Sequence, residues 1–215
     1  MSIIDQLINS AANQVKSSLK GVARSAEYSA KQKGKETLEK AKASALSKKV
    51  EFTFEKIPDT LEEFKALPEV SKLTDPFATT ALTIVAYAAY AKNKAEGLAM
   101  FNVLRGPAPF SNLDISRTDD SLKGRTYIPM SYFEGATVEN NYTPSVPYKV
   151  VVIQTSHTDD TLSEGYKRMF VKSAGADTER YITLRTKAST KEWFLSEHAG
   201  ITSSIRVPQN ENPWA

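Results

Sequence analysis

One segment of the chain constrains its fold more than any other. From Asp75 the sequence reads DPFATTALTIVAYAAYAK, in which Asp75 can cap a helix whose first residue is Pro76. The predicted helix is apolar nearly all round, so it must be covered on every side. Its longest near-apolar run, residues 81–91, holds eleven residues, fewer than the ~20 that span a bilayer. The segment therefore predicts a buried central helix inside a domain large enough to enclose it.

Shorter helices are predicted on both sides of this segment. DTLEEFKALPE offers Thr60 as a cap and Glu63 as the partner in a capping box. KAEGLAMFNVLRGP follows the central helix and ends at Gly106. SNLDISRTDDSLKG predicts a further helix that begins after Ser111 and stops at Gly124. The first half of the domain is therefore expected to be helical, apart from a strand at EFTF (51–54).

The second half is typical of consecutive short strands. Runs of β-branched and aromatic residues are separated by turn residues such as SAGAD (173–177). Four successive apolar residues at 150–153 predict a strand that is buried on both faces. Helices followed by consecutive strands indicate an α+β fold, with N-terminal helices packed on one face of an antiparallel β-sheet. The predicted strands are TYIPMSYF, PYKVVVIQTS, GYKRMFVKS, RYITLRTKA, KEWFLSE and ITSSIRVP.

Residues 1–50 are predicted to be an amphipathic helical arm that precedes a single α+β domain of residues 51–215. The arm contains no proline and carries ten Lys or Arg residues against four Asp or Glu, a net charge of +6 where the whole chain has +3. Its apolar residues recur with an 11-residue period, about 3.67 residues per turn, which keeps them on one face of a straight helix. This stripe comprises Ile4, Ile8, Ala11, Val15, Leu19, Val22, Ala26 and Ala30.

Several interpretations of the arm stay open. The stripe can mediate self-association or contact with a protein partner, or residues 1–33 can lie on an anionic membrane surface. It can also pack on its own domain or form a basic tail. Without clustered arginines or interleaved aromatics, the sequence argues against nucleic acid as a partner. The interaction residues that we expect on the arm are Ile4, Ile8, Val15, Leu19 and Val22.

The segment YFEGATVENNYTPSVPY (132–148) is the most distinctive part of the domain. Long irregular loops in compact domains are often functional, and tyrosine with asparagine makes an adaptable contact surface. Under that interpretation we expect Tyr132, Phe133, Asn141 and Tyr142 to contact a partner. The alternative, which we favour, is a loop pinned across the sheet by its aromatic side chains. Trp214 is either an exposed anchor for a partner or a side chain docked on the domain, and docking is the favoured expectation.

Few residues carry a recognisable chemistry. The chain has no cysteine, which excludes disulfides, thiolate metal sites and cysteine nucleophiles. His157 and His198 are too far apart to suggest a metal site by spacing, and there is no GxSxG, P-loop or GxGxxG motif. We therefore expect no catalytic residue, metal or cofactor. A ligand-binding or enzymatic role would require a deep pocket with convergent polar groups, one of the two histidines among them.

Several blocks of the sequence resemble a known family. FEKIPDTLEEFKALPE, LRGPAPFS, YFEGATVENNYTPSVPY and ENPWA occur in the same order in an uncharacterised domain family of Firmicutes bacteria. The resemblance covers residues 52–215 and implies a bacterial, intracellular protein, with no activity or functional residue assigned. The order of helices and then strands also resembles NTF2-like cone folds, on element order alone.

These observations together predict a non-enzymatic interaction or assembly protein. Since the sequence shows neither a transmembrane segment nor a signal peptide, we expect a cytoplasmic location, with membrane association through the arm as a variant. A peripheral membrane protein that binds anionic lipid is the first alternative. A small-ligand-binding or enzymatic cone-like domain is the second.

Overall fold

A computed structural model describes Gln32 and residues 47–214 of the chain. The predicted interaction residues of the arm, Ile4, Ile8, Val15, Leu19 and Val22, lie outside the described residues. Their roles stay predictions. The first strand begins at Lys48, before the domain start that the sequence predicts at residue 51.

Within residues 47–214, five strands form one sheet in which neighbours along the chain are also neighbours in space. Every strand pair is antiparallel. The edges of the sheet are therefore its first and last strands. The strands are β1 (Lys48–Phe54), β2 (Tyr148–Gln154), β3 (Tyr166–Val171), β4 (Arg180–Lys187) and β5 (Glu192–Glu197).

The same residues form four α-helices: α1 (Leu61–Lys65), α2 (Pro76–Lys92), α3 (Lys94–Arg105) and α4 (Asn112–Leu122). The Asp75 side chain accepts a hydrogen bond from the Phe77 backbone N–H at 2.9 Å, and Pro76 is the first residue of α2. Every α2 residue from Phe77 to Tyr90 is buried. The helix contacts all five strands and packs against α3. The prediction of an α+β fold around a buried central helix is confirmed.

The shorter helices begin at the predicted caps. Thr60 Oγ1 accepts a hydrogen bond from the Glu63 N–H at 3.3 Å, and the Glu63 carboxylate accepts one from Asp59 N–H at 2.9 Å. In the predicted capping box the Glu63 carboxylate would accept from the Thr60 N–H, whereas in the structure it accepts from the residue before, Asp59. Ser111 and Asp114 form a complete capping box at the start of α4. Among the described residues, no helix combines the length and the hydropathy needed to cross a membrane.

Two of the predicted strands are wrong. TYIPMSYF contains the 3-10 helix Pro129–Tyr132, and the ITSSIRVP region begins in the 3-10 helix Ala199–Thr202 and forms no strand. These two segments form hydrogen bonds with each other and with neighbouring loops, and they do not pair with a strand of the sheet. The Tyr132 hydroxyl donates to the Ile201 carbonyl at 2.6 Å, and the Arg206 N–H donates to the Gly175 carbonyl at 2.9 Å. Their β-branched and aromatic composition serves core packing rather than strand pairing.

Candidate functional site

A cleft of about 520 Å³ lies beside α4 and the segment that follows β5. One wall comes from a single face of α4, where Asp114, Arg117 and Ser121 recur at helical spacing. The opposite wall comes from residues 196–203, which include Glu197 and His198. Tyr87 of α2 and Tyr181 of β4 complete the lining, with hydroxyl groups from Thr118, Ser196, Thr202 and Ser203. The fold thus gathers polar side chains from four elements around one of the two histidines.

The His198 ring is held between aromatic side chains. It stacks on Phe110 with ring centres 4.9 Å apart and planes 8° apart, and on Phe101 at 5.7 Å and 25°. Tyr87 meets it edge-on at 5.5 Å. The Arg105 guanidinium fixes the adjoining backbone, since its Nη1 donates to the Ser196 carbonyl at 2.6 Å. These contacts leave the imidazole little freedom to reorient.

This environment keeps His198 uncharged at neutral pH. Burial, assisted by the positive charge of Arg105, lowers the pKa of His198 to about 4, although the Asp114 carboxylate acts in the opposite direction. Burial likewise raises the pKa of the Tyr87 hydroxyl far above its ordinary value. Both groups are therefore neutral across the physiological range.

The hydrogen bond between these two side chains decides which imidazole nitrogen carries the proton. The Tyr87 hydroxyl forms a short hydrogen bond with Nδ1 of His198, whereas its other acceptor, the His198 carbonyl oxygen, is 3.4 Å away. We interpret the Tyr87 hydroxyl as the donor of the shorter bond and Nδ1 as its acceptor, which leaves the proton of the neutral ring on Nε2. Nε2 has no hydrogen-bond partner in residues 47–214 and is not among their buried atoms left without a partner. In this interpretation Nε2 is an N–H donor of a residue that lines the cleft.

The charged side chains of the cleft differ in their hydrogen-bond and ion-pair partners. Burial opposes ionisation of Asp114, but hydrogen bonds from the hydroxyl and amide of Ser111, with the nearby Arg105, hold the pKa of that carboxyl below its ordinary value. Glu197 is exposed and accepts one long bond from the Thr183 hydroxyl, at 3.4 Å. Arg117 is exposed and makes no hydrogen bond or ion pair within the described part of the chain. The cleft therefore offers a free guanidinium and an imidazole N–H.

The interaction residues predicted in the 132–148 loop lie elsewhere. Tyr132, Phe133 and Tyr142 are buried, and the Tyr142 ring stacks on Tyr127 with centres 5.6 Å apart. Asn141 is exposed and its side-chain oxygen accepts the Asn210 N–H. The loop is thus pinned by its aromatics, which was the favoured interpretation. Contact of this loop with a partner stays a prediction.

Trp214 and His157 are both exposed. Trp214 is 92% exposed, so the expectation that it docks on the domain is wrong. His157 is exposed and its Nδ1 lies 3.1 Å from the Asp160 carboxylate in the same turn. No group of three or more potential metal ligands occurs among the described residues.

Fold and site together define an α+β domain with a polar cleft beside a neutral histidine. The chain belongs to the family described as a domain of unknown function (DUF6935), whose family model matches residues 56–209. The resemblance to an uncharacterised domain family is confirmed. Neither the curated proteins nor the solved structures contain a match to this chain. The weaker likeness to NTF2-like cone folds stays a prediction.

Proposed function

We propose that this domain binds a small, oxygen-rich ligand in the His198 cleft. The observation that carries this proposal is the clamped, uncharged imidazole, whose Nε2–H has no partner within the described residues. A donor held in place before binding loses little conformational entropy when a ligand accepts its hydrogen bond. Of the roles weighed from the sequence, small-ligand binding fits this geometry best.

The same geometry favours binding over base catalysis. A general base needs a free lone pair on the nitrogen that faces the substrate and a pKa near the working pH. Here Nδ1 is engaged by Tyr87, Nε2 carries the proton, and the pKa of His198 is lowered to about 4. His198 is suited to donate a hydrogen bond to a carbonyl, carboxylate or hydroxyl oxygen rather than to remove a proton.

The remaining lining groups narrow the ligand class. Arg117 can pair with a carboxylate. Glu197 can accept hydrogen bonds from a hydroxylated ligand, and the hydroxyls of the cleft can donate or accept them. A small hydroxy acid or a sugar acid combines the two functional groups that this lining matches.

Assembly or membrane attachment through the arm remains a separate prediction. It depends on Ile4, Ile8, Val15, Leu19 and Val22, which lie outside the described residues, and ligand binding by the domain is compatible with either role. A difference in sedimentation between the full-length chain and one starting at residue 47, alone and with anionic vesicles, would support the arm's role.

The ligand proposal is tested by titrating the full-length chain with a panel of hydroxy acids, sugar acids and neutral sugars. The side-chain ¹⁵N resonances of His198 report contact with Nε2, and the melting temperature reports affinity. We expect at least one acid to shift the His198 signals, and this effect to be lost in Arg117→Gln and His198→Phe. His157→Gln is the matched control and should bind as the unaltered chain does. Binding that survives both cleft variants, or no shift at His198 with any probe, contradicts the proposal.

A further inference from the structure

The face of the sheet opposite α2 carries cations and aromatic rings. Successive strand residues point to opposite faces, so Met169 and Val171, which are buried in the core, place Arg168 and Phe170 on the other side. We call this side the open face and define it by six residues of β3 and β4. Tyr181, Arg185 and Lys187 are exposed, and Tyr166, Arg168 and Phe170 are half-buried.

The pairing of β3 with β4 interleaves these side chains. Tyr166 lies opposite Arg185, and Phe170 lies opposite Tyr181. The Arg185 guanidinium is 5.5 Å from the Tyr166 ring centre, and that of Arg168 is 5.3 Å from the Tyr181 ring centre. The Phe170 and Tyr181 ring centres are 6.2 Å apart. Cations and aromatics that are scattered in the sequence therefore form one continuous surface, which sequence reasoning alone missed.

The positive charges of the open face have no ion-pair partner in the described part of the chain. Within residues 47–214, Arg168, Arg185 and Lys187 form no ion pair, and the Nε of Arg168 has no hydrogen-bond partner. Glu192 lies opposite Lys187 on β5 without forming an ion pair. A recess of about 360 Å³ lies at the C-terminal end of β4. It is lined by Arg185, Lys187 and Arg105, and no described carboxylate lines it. The surface is complementary to an anion.

We propose that the open face binds single-stranded nucleic acid. Aromatic rings on a sheet give bases a stacking platform that tolerates any sequence, and unpaired cations beside them take the phosphates. Here Tyr166, Phe170 and Tyr181 supply the rings, while Arg168, Arg185 and Lys187 supply the charges. From Tyr181 to Lys187 the strand spans about 20 Å at ~3.3 Å per residue, a length that accommodates a few nucleotides.

The shape of the face favours a single strand over other polyanions. A duplex is read by an element that enters a groove, whereas these side chains lie on a sheet surface. An anionic membrane needs apolar side chains that project into the headgroup region, whereas Phe170 and Tyr166 are half-buried and Tyr166 packs beside the Arg185 guanidinium. Unstacked bases are the partner that uses both the rings and the charges.

Fluorescence anisotropy of the full-length chain with labelled dT12 and U12 oligonucleotides tests this proposal. Because the basic arm can bind any polyanion, the comparison is between variants of equal charge. Arg185→Gln with Lys187→Gln should weaken binding at least tenfold. Lys72→Gln with Lys123→Gln removes two exposed cations elsewhere and should weaken it less than threefold. On a single strand, the log–log slope of affinity against salt should fall by about 0.7 for each phosphate that a variant no longer neutralises.

A neutral substitution separates stacking from charge. Tyr181→Leu should weaken binding by roughly 5- to 150-fold, the loss of about one stacked base, without altering the salt slope. Circular dichroism and the melting temperature confirm that each variant folds. If the double variant does not fold, Lys187→Gln alone tests the role of charge, because Lys187 is exposed at the end of β4. The proposal is overturned if the two double variants weaken binding equally, or if a duplex of the same length binds as tightly as the single strand. It is also overturned if substitutions on the open face weaken binding to anionic vesicles but not to the oligonucleotides. A preference between dT12 and U12 identifies DNA or RNA as the partner.

Discussion

The protonation of His198 predicts how the stability of the domain depends on pH. Its pKa is about 4 in the folded chain, against an ordinary value of about 6.5 that applies when the chain unfolds. Between these values the unfolded state binds the proton and the folded state does not. The stabilisation is therefore complete above pH 6.5 and is lost as the pH falls toward 4. At ~1.4 kcal/mol per unit of pH, the loss is at most about 3 kcal/mol.

Urea unfolding at a series of pH values between 7.5 and 4.5 measures this loss as a free energy of unfolding. Carboxylates also begin to titrate in this range, so the informative quantity is the difference between the unaltered chain and His198→Phe. The phenylalanine keeps the stacking on Phe110 but cannot take up a proton. We expect the unaltered chain to lose about 2 to 3 kcal/mol more than His198→Phe between pH 7 and 4.5.

His157→Gln is the control, because this histidine is exposed in a turn. It should keep the pH-dependent loss of stability of the unaltered chain, because His198 is still present. Parallel curves for the unaltered chain and His198→Phe would refute the reasoning, since they would show that His198 takes up its proton equally in the folded and unfolded states.

Three further predictions concern single side chains, with urea unfolding as the measurement. Tyr87→Phe should cost about 1 to 2 kcal/mol, because it leaves Nδ1 of His198 without its donor; an unchanged stability would show that this hydrogen bond contributes nothing. Gly106→Ala should cost more than about 1 kcal/mol, because φ is 58° and the added Cβ would collide with the Phe194 ring; a neutral result would place that ring elsewhere. Ser111→Ala should cost about 1 kcal/mol by removing the capping box of α4, whereas no loss would mean that the cap is not formed in solution.

The parts of the fold that depend on local chemistry were predicted from the sequence. Asp75 and Pro76 set the start of α2, Ser111 sets the start of α4, and apolar runs identified the four confirmed strands of the second half. Caps and periodicity act within a few residues, so their signal is readable without tertiary information. The two wrong strands fail for the opposite reason, since the bond between Tyr132 and Ile201 joins distant segments.

The candidate sites were much less predictable. The His198 cleft depends on residues from α2, α4, β4 and the segment after β5, and neither histidine lies in a motif that indicates such a cavity. The signal that was available is the polar face of α4, where Asp114, Arg117 and Ser121 recur at helical spacing. The open face became visible only through strand register, because Tyr166 and Arg185 are far apart in the chain and adjacent across β3 and β4.

The protonation of the two His198 ring nitrogens decides most directly whether the cleft is a donor site. A long-range ¹H–¹⁵N spectrum of the full-length chain at pH 7 measures it, with His198→Phe to assign the signals. Our interpretation predicts a neutral ring with the proton on Nε2 and an unprotonated Nδ1 that accepts from Tyr87. A proton on Nδ1, which would leave the Nε2 lone pair free to act as a base, or a charged ring at this pH would contradict it.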